Sequence, residues 1–266
     1  MPVITIDTAD DQRLADYQNI PDAELVERRR IFVAEGRLVV RRLLEESPLL
    51  ARSVMATDAA LASIEDAMVA RPDVPIYLVP QTVMNCVTGF DIHRGCLAIG
   101  ERPAPAPWTT RVAGARTILV LERIGNADNV GGIFRNAIAF GVDAVLLGPA
   151  CADPLYRKSI RTSMGATLLL PFAAAAPWPD ALQQLRGLGF ASIALTPSVD
   201  APPLSNLAAS LNGGPLAVVL GHEGEGLTEA ALQACEHRAR IPMSGFDSLN
   251  VASAAAIALY ELKRAG

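Results

Sequence analysis

Short apolar runs recur through the second half of the chain, at Thr117–Leu121, Asp143–Leu147, Ala191–Leu195 and Leu216–Leu220. Thr117–Leu121 is apolar almost without interruption, the pattern of a strand buried on both faces of a parallel sheet. Leu168–Leu170 and Ala239–Ile241 read as two further strands. Helix-patterned stretches alternate with them: Val130–Phe140 stopped by Gly141, Pro154–Ser163, Trp178–Leu188 before Gly189, Leu227–Cys235, and a last helix over Leu249–Arg264. Repeated strand–helix units predict an α/β fold, an open and mostly parallel sheet with helices on both faces. Ligands of such sheets bind beyond the carboxyl ends of the strands.

The first half reads as a smaller α/β domain. Strands are expected at Ile31–Val33, Ser53–Ala56, Pro75–Val79 and Cys96–Ile99, with helices over Asp22–Arg29, Gly36–Leu44 and Thr82–Val87. Asp58 is the expected cap of a further helix. Three alternating prolines in Arg102–Trp108 cannot join a helix interior or a central strand and favour an extended spacer. The expected organisation is a small domain over 1–101, a Pro-rich linker over 102–115 and a larger domain over 116–266.

Composition excludes several classes. The 266 residues carry a net charge of −5, with 11 Lys and Arg against 16 Asp and Glu in residues 1–105 and 12 of each thereafter, so bulk charge does not coat nucleic acid. Local clusters at Arg28–Arg30, Arg41-Arg42 and Arg157-Lys158 with Arg161 can still grip phosphates, or serve as solvated helix faces. No uninterrupted apolar run approaches the roughly 18 residues of a membrane span. The acidic first residues do not form a signal peptide, so the expectation is a cytoplasmic protein without membrane contact. Cys86, Cys96, Cys151 and Cys235 are scattered, and His93, His222 and His237 are isolated. Buried free thiols and no metal site are expected.

Three polar segments carry the candidate chemistry. Asn126–Asn136 joins a buried strand to a helix; Asp128 or Asn129 can cap that helix, and Gly131-Gly132 allow close approach. Arg135 within it either serves a ligand or pairs with Glu122 or Asp143. Leu220–Leu227 places Glu223 among three alternating glycines between a strand and a helix, either as a site or as a simple turn favoured by the helix dipole. Ile241–Val251 runs into the last helix, with Ser248 and Asn250 at its entrance. Neither a G-x-G-x-x-G fingerprint nor a phosphate-binding Gly-Lys-Ser/Thr occurs in these segments.

Taken together, Asn129-x-Gly131-x-x-x-Arg135, Gly221-x-Glu223-x-x-Gly226 and Ile241-Pro-Met-x-Gly245-x-x-Ser248-Leu-Asn250-Val resemble the three signature motifs of the SpoU/TrmH family. These enzymes are RNA ribose 2′-O-methyltransferases that use S-adenosyl-L-methionine. The resemblance covers about residues 116–264. The run Phe32–Gly36 is similar to the ribosomal-protein-like, RNA-binding domain that often precedes the catalytic one.

The resemblance implies a deep trefoil knot at the C-terminal end, a homodimer through the knot helices, and a structured rRNA or tRNA as substrate. Arg135, Asn129, Glu223, Ser248 and Asn250 are its implied catalytic residues. Thr196, Gly221, Ile241, Met243 and Leu249 are its implied cofactor contacts. A non-catalytic RNA-binding dimer and a nucleobase methyltransferase are the alternatives. The chain departs from the family pattern at Ala127-Asp128 where Asp-Pro is common, at His222 where a small residue or Asn is common, and at Ala252 where Ser is usual.

Overall fold

The apolar runs become strands. In the computed structural model, Thr117–Leu121 (β6), Ala191–Leu195 (β9) and Leu216–Leu220 (β10) match the expected spans to the residue, and Ala144–Leu147 (β7) nearly so. With Phe172–Ala174 (β8) and His237–Ala239 (β11) they form an entirely parallel six-stranded sheet in the order β11-β9-β10-β6-β7-β8. The structure describes residues 2–89, 92, 95–208, 211, 213–245 and 247–265. His93 and Phe246 of the sequence reading lie outside them.

The chain divides into two compact units, Met1–Ala104 with Pro154–Leu169, and Pro105–Asp153 with Leu170–Gly266. The first is built on a five-stranded mixed sheet in the order β1-β4-β3-β5-β2, formed by Val3–Thr5 (β1), Ile31–Glu35 (β2), Ala51–Ala56 (β3), Ile76–Leu78 (β4) and Cys96–Glu101 (β5). Its α-helices include Arg37–Glu45 (α1), Asp58–Leu61 (α2) and Gln81–Thr88 (α3), and the helix expected over Asp22–Arg29 is a short π-helical segment, Glu24–Arg28. Thr57, not Asp58, caps α2, its hydroxyl accepting from the Ala60 amide. Fully buried Phe32 lies over β5, where a Cβ at Gly100 would fall 2.1 Å from its ring.

Segment 154–169 carries Arg157–Thr162 (α6) and is tied into this unit. The Arg157 guanidinium donates to Asp22 at 2.7 Å and to the Ile20 carbonyl, and the Ser47 hydroxyl donates to the Leu168 carbonyl. Leu168–Leu170 is therefore not a strand. A short buried apolar run reads alike in strand and turn, and here the strand begins at Phe172, after Pro171.

The second unit has Trp108–Arg111 (α4), Ala127–Ala139 (α5), Asp180–Gly187 (α7), Leu204–Ala208 (α8), Glu229–Ala234 (α9) and Val251–Ala265 (α10) around its sheet. Its core joins the sheet interior, including Ile118, Val120 and Val219, to Leu182 and Leu185 of α7. Helix α10 packs on α5, and a Cβ at Gly132 would stand 2.9 Å from that of Ala252. Ala252, one of the departures from the family pattern, thus sits where the two helices approach closely. Among the described residues no helix is long and apolar enough to cross a membrane.

Candidate active site

The turn after β10 and the segment leading into α10 enclose a cavity of about 330 Å³ beyond the carboxyl ends of β9 and β10. All five expected cofactor contacts line it: Thr196, Gly221, Ile241, Met243 and Leu249. So do Glu223 and Ser248 of the expected catalytic set, and Asp247, which the sequence reading does not single out.

Asn129 joins the three motif segments. Its Nδ2 donates to Glu223 Oε1, and its Oδ1 accepts from Asn250 Nδ2 at 2.9 Å. Asn250 Oδ1 in turn accepts the Ala252 and Ser253 amides at 3.0 and 3.3 Å, which caps α10. Only one assignment of the two amides satisfies this chain. Glu223 offers only acceptors when ionised, so Asn129 must turn its Nδ2 to it. The helix end offers only N–H donors, so Asn250 must turn its oxygen there and its Nδ2 to Asn129.

Helix α5 is capped one turn earlier than expected. Asn126 Oδ1 accepts from the Asp128 amide at 2.9 Å, so neither Asp128 nor Asn129 is the cap. That frees the Asn129 side chain to reach Glu223 and Asn250. Asn136, seven residues on and so on the same helix face, donates to the Ala252 carbonyl at 2.7 Å.

The turn carrying Glu223 is internally braced. His222 Nδ1 accepts from the amides of Gly224 and Glu225 at 3.0 and 3.2 Å, so the ring proton resides on Nε2. This is what an Asn oxygen does in an Asx turn, which accounts for His at a position where Asn is common. Gly221 is required by the fold itself. A Cβ there would lie 2.4 Å from the Leu227 nitrogen and 2.5 Å from the Gly226 carbonyl carbon. A side chain at 221 therefore breaks the turn rather than merely filling a ligand's seat.

Arg135 stands apart from this cluster. It is exposed on α5, six residues and about 240° around the helix from Asn129. It makes no hydrogen bond or ion pair among the described residues. Both expected structural partners are engaged elsewhere. Asp143 accepts the Arg116 and Thr117 amides, and Glu122 accepts Trp178 Nε1 and Thr228. The Asn129 amide, committed at both ends, does not orient Arg135.

The cysteines are free. Burial pushes the Cys96 and Cys235 thiols up to about 12 and Cys151 to about 11. Of the four thiols expected to be buried, Cys96 is, Cys151 and Cys235 are half-buried, and Cys86 is exposed on α3.

Comparison with known proteins places these features. The profile of the SpoU rRNA Methylase family matches residues 116–260. A Mycobacterium bovis protein named as an uncharacterized tRNA/rRNA methyltransferase is 44% identical over 265 residues, covering 97% of this chain and 90% of that one. The Bacillus subtilis 23S rRNA (guanosine(2553)-2′-O)-methyltransferase RlmP is 25% identical, covering 97% of this chain and 98% of its own. The crystal structure of an AdoMet-bound rRNA methyltransferase from Sinorhizobium meliloti superposes with a TM-score of 0.83 at 24% identity, covering 98% of both chains. The chain belongs to the SpoU rRNA methylase family.

Proposed function

We propose that this chain transfers a methyl group from S-adenosyl-L-methionine to a ribose 2′-hydroxyl of structured rRNA or tRNA. The observation that carries the reading is the hydrogen-bonded chain Glu223–Asn129–Asn250, which ties all three family motifs together beside one cavity. The 2′-O specificity named for the Bacillus subtilis relative and the AdoMet named for the Sinorhizobium meliloti structure support it.

The cavity suits that cofactor. Its volume lies at the small end of the roughly 300–1,000 Å³ range of ligand sites. Glu223 and Asp247 bring carboxylates to a ligand that carries a cationic sulfur, and Met243 and Leu249 offer apolar surface to its flat ring. When bound, S-adenosyl-L-methionine supplies a methyl group on a sulfonium, already a good leaving group.

What remains for the protein is positioning and proton management. A guanidinium offers donors and no acceptor, so Arg135 is assigned no base role. With no partner among the described residues, it grips a substrate phosphate and polarises the hydroxyl. Glu223 Oε1 is held by Asn129, and Oε2 takes the hydroxyl proton or hands it to an RNA phosphate. Ser248 donates to the ribose from the cavity wall.

The remaining roles are proposed on the same basis. The first unit binds RNA, with exposed Arg28, Arg37 and Arg161 as its cations. The chain's end is proposed to thread as a knot; in support, β11 lies at one edge of the sheet while α10 packs on α5, the helix that follows β6 in the sheet interior. A second copy of the chain covers the apolar face left by Ile138 of α5 with Ile257 and Tyr260 of α10. Mapping 2′-O-methylation across rRNA and tRNA from cells lacking the protein tests the assignment. Loss of a discrete ribose methyl identifies the substrate, and a complete, unchanged map rejects the reaction.

A further inference from the structure

Glu122 is fully buried, with no cation within ion-pairing distance among the described residues. A carboxylate in such a place costs stability unless its oxygens are hydrogen-bonded. Three donors meet it. Oε1 accepts Trp178 Nε1 at 2.8 Å and the Thr228 hydroxyl at 2.7 Å, and Oε2 accepts the Thr228 amide at 2.8 Å. Its own amide donates to the Leu220 carbonyl at 2.8 Å.

Leu220 and Thr228 are the residues immediately before and after the turn 221–227. One residue thus holds both ends of the turn that carries Gly221 and Glu223. The same Thr228 hydroxyl accepts the Ala231 amide at 3.3 Å and starts α9. Arg123, next in the chain, reaches the tip of the turn through Glu225 at 2.5 Å, but both side chains are solvent-exposed and such pairs contribute little.

We infer that Glu122 is a positioning residue that staples the two ends of the turn, setting Glu223 against Asn129 and Gly221 in the cavity wall while touching no substrate. The inference rests on the proposed roles of Glu223 and the cavity. Its structural half is independent of them.

The test is amide hydrogen exchange on the full-length protein, paired with calorimetric titration of S-adenosyl-L-methionine. Glu122→Gln keeps the volume but turns an N–H toward a Thr228 or Trp178 donor. Exchange of the Gly224, Glu225 and Gly226 amides is expected to accelerate roughly tenfold or more, as for a buried donor left unmet. Val120 and Val219 in the sheet exchange as in the wild type. Cofactor affinity falls by a similar factor, and Arg123→Ala changes neither. Thr228→Val follows Glu122→Gln, and Thr228→Ser restores the wild-type behaviour.

Wild-type exchange at the turn in Glu122→Gln overturns the inference. So does acceleration spread evenly over sheet and turn, which marks a general stabilising group. Should Glu122→Gln fail to fold, equal behaviour of Thr228→Val and Thr228→Ser overturns it. A wild-type protein that binds no S-adenosyl-L-methionine rejects the cofactor reading, and the exchange data alone then decide the positioning role.

Discussion

Asn250 does two jobs that substitution can separate. Its oxygen caps α10 and its Nδ2 holds Asn129. Asn250→Ala removes both. Loss of a cap costs about 1 kcal/mol, and loss of the hydrogen bond to Asn129 about another 1 kcal/mol. At roughly 2–4 °C per kcal/mol for a chain near this size, the melting temperature should fall by about 4–8 °C. Asn250→Asp keeps the acceptor at the helix N-terminus, where a negative charge is favourable by about 0.3–1 kcal/mol. It also sets a carboxylate against Asn129 Oδ1, two acceptors with no proton between them, and turning the Asn129 amide over to serve it would withdraw Nδ2 from Glu223. The melting temperature should therefore stay within about 3 °C of wild type. Methyl transfer should nevertheless fall roughly ten- to hundredfold, the size of a lost hydrogen bond to a charged group. Scanning calorimetry and transfer of labelled methyl groups to RNA read the two effects separately. Wild-type transfer by Asn250→Asp would refute the idea that the chain of amides matters, and a large loss of stability would refute the capping assignment.

Other perturbations have equally definite outcomes. Gly221→Ala should destabilise the second unit by about 1–3 kcal/mol, because its Cβ meets main chain, and thermal melting should show this without any ligand. Gly132→Val should force α5 and α10 apart at Ala252, lowering both the melting temperature and the cofactor affinity measured by calorimetry. The thiols of buried Cys96 and half-buried Cys235 have folded values of about 12, above the ordinary thiol value near 9. Their contribution is intact below about pH 8.5 and lost as pH rises toward 12. Cys96→Ala should flatten the alkaline part of a denaturant-stability profile between those limits. At pH 8 a maleimide should label Cys86 first.

Much of this molecule is legible in its residues. The strands of the second sheet are readable because continuous burial on both faces leaves unbroken apolar runs. The three motif segments are readable because their polar residues fall where such a sheet binds ligands. Other features depend on contacts remote in sequence. Nothing local marks 154–169 as a part of the first unit; Arg157 finds Asp22 across 135 positions. Leu168–Leu170 has the pattern of a strand without being one, because burial alone does not fix backbone conformation. Asn126 is hard to pick out as the cap, because two polar neighbours follow within three positions. Gly221 reads as a cofactor contact and does line the cavity, but its need to be glycine comes from the main chain of Gly226 and Leu227 packed against it, which no local pattern shows. Glu122 is invisible as a functional residue in sequence, since its importance lies in Leu220 and Thr228 meeting there.

The most direct test of the proposed reaction is nucleoside analysis of rRNA and tRNA incubated with labelled S-adenosyl-L-methionine and either the wild-type protein or Arg135→Ala. Label is expected only as 2′-O-methylnucleoside with the wild type, and none with Arg135→Ala despite unchanged cofactor affinity. Label on a base, or full transfer by Arg135→Ala, would contradict it.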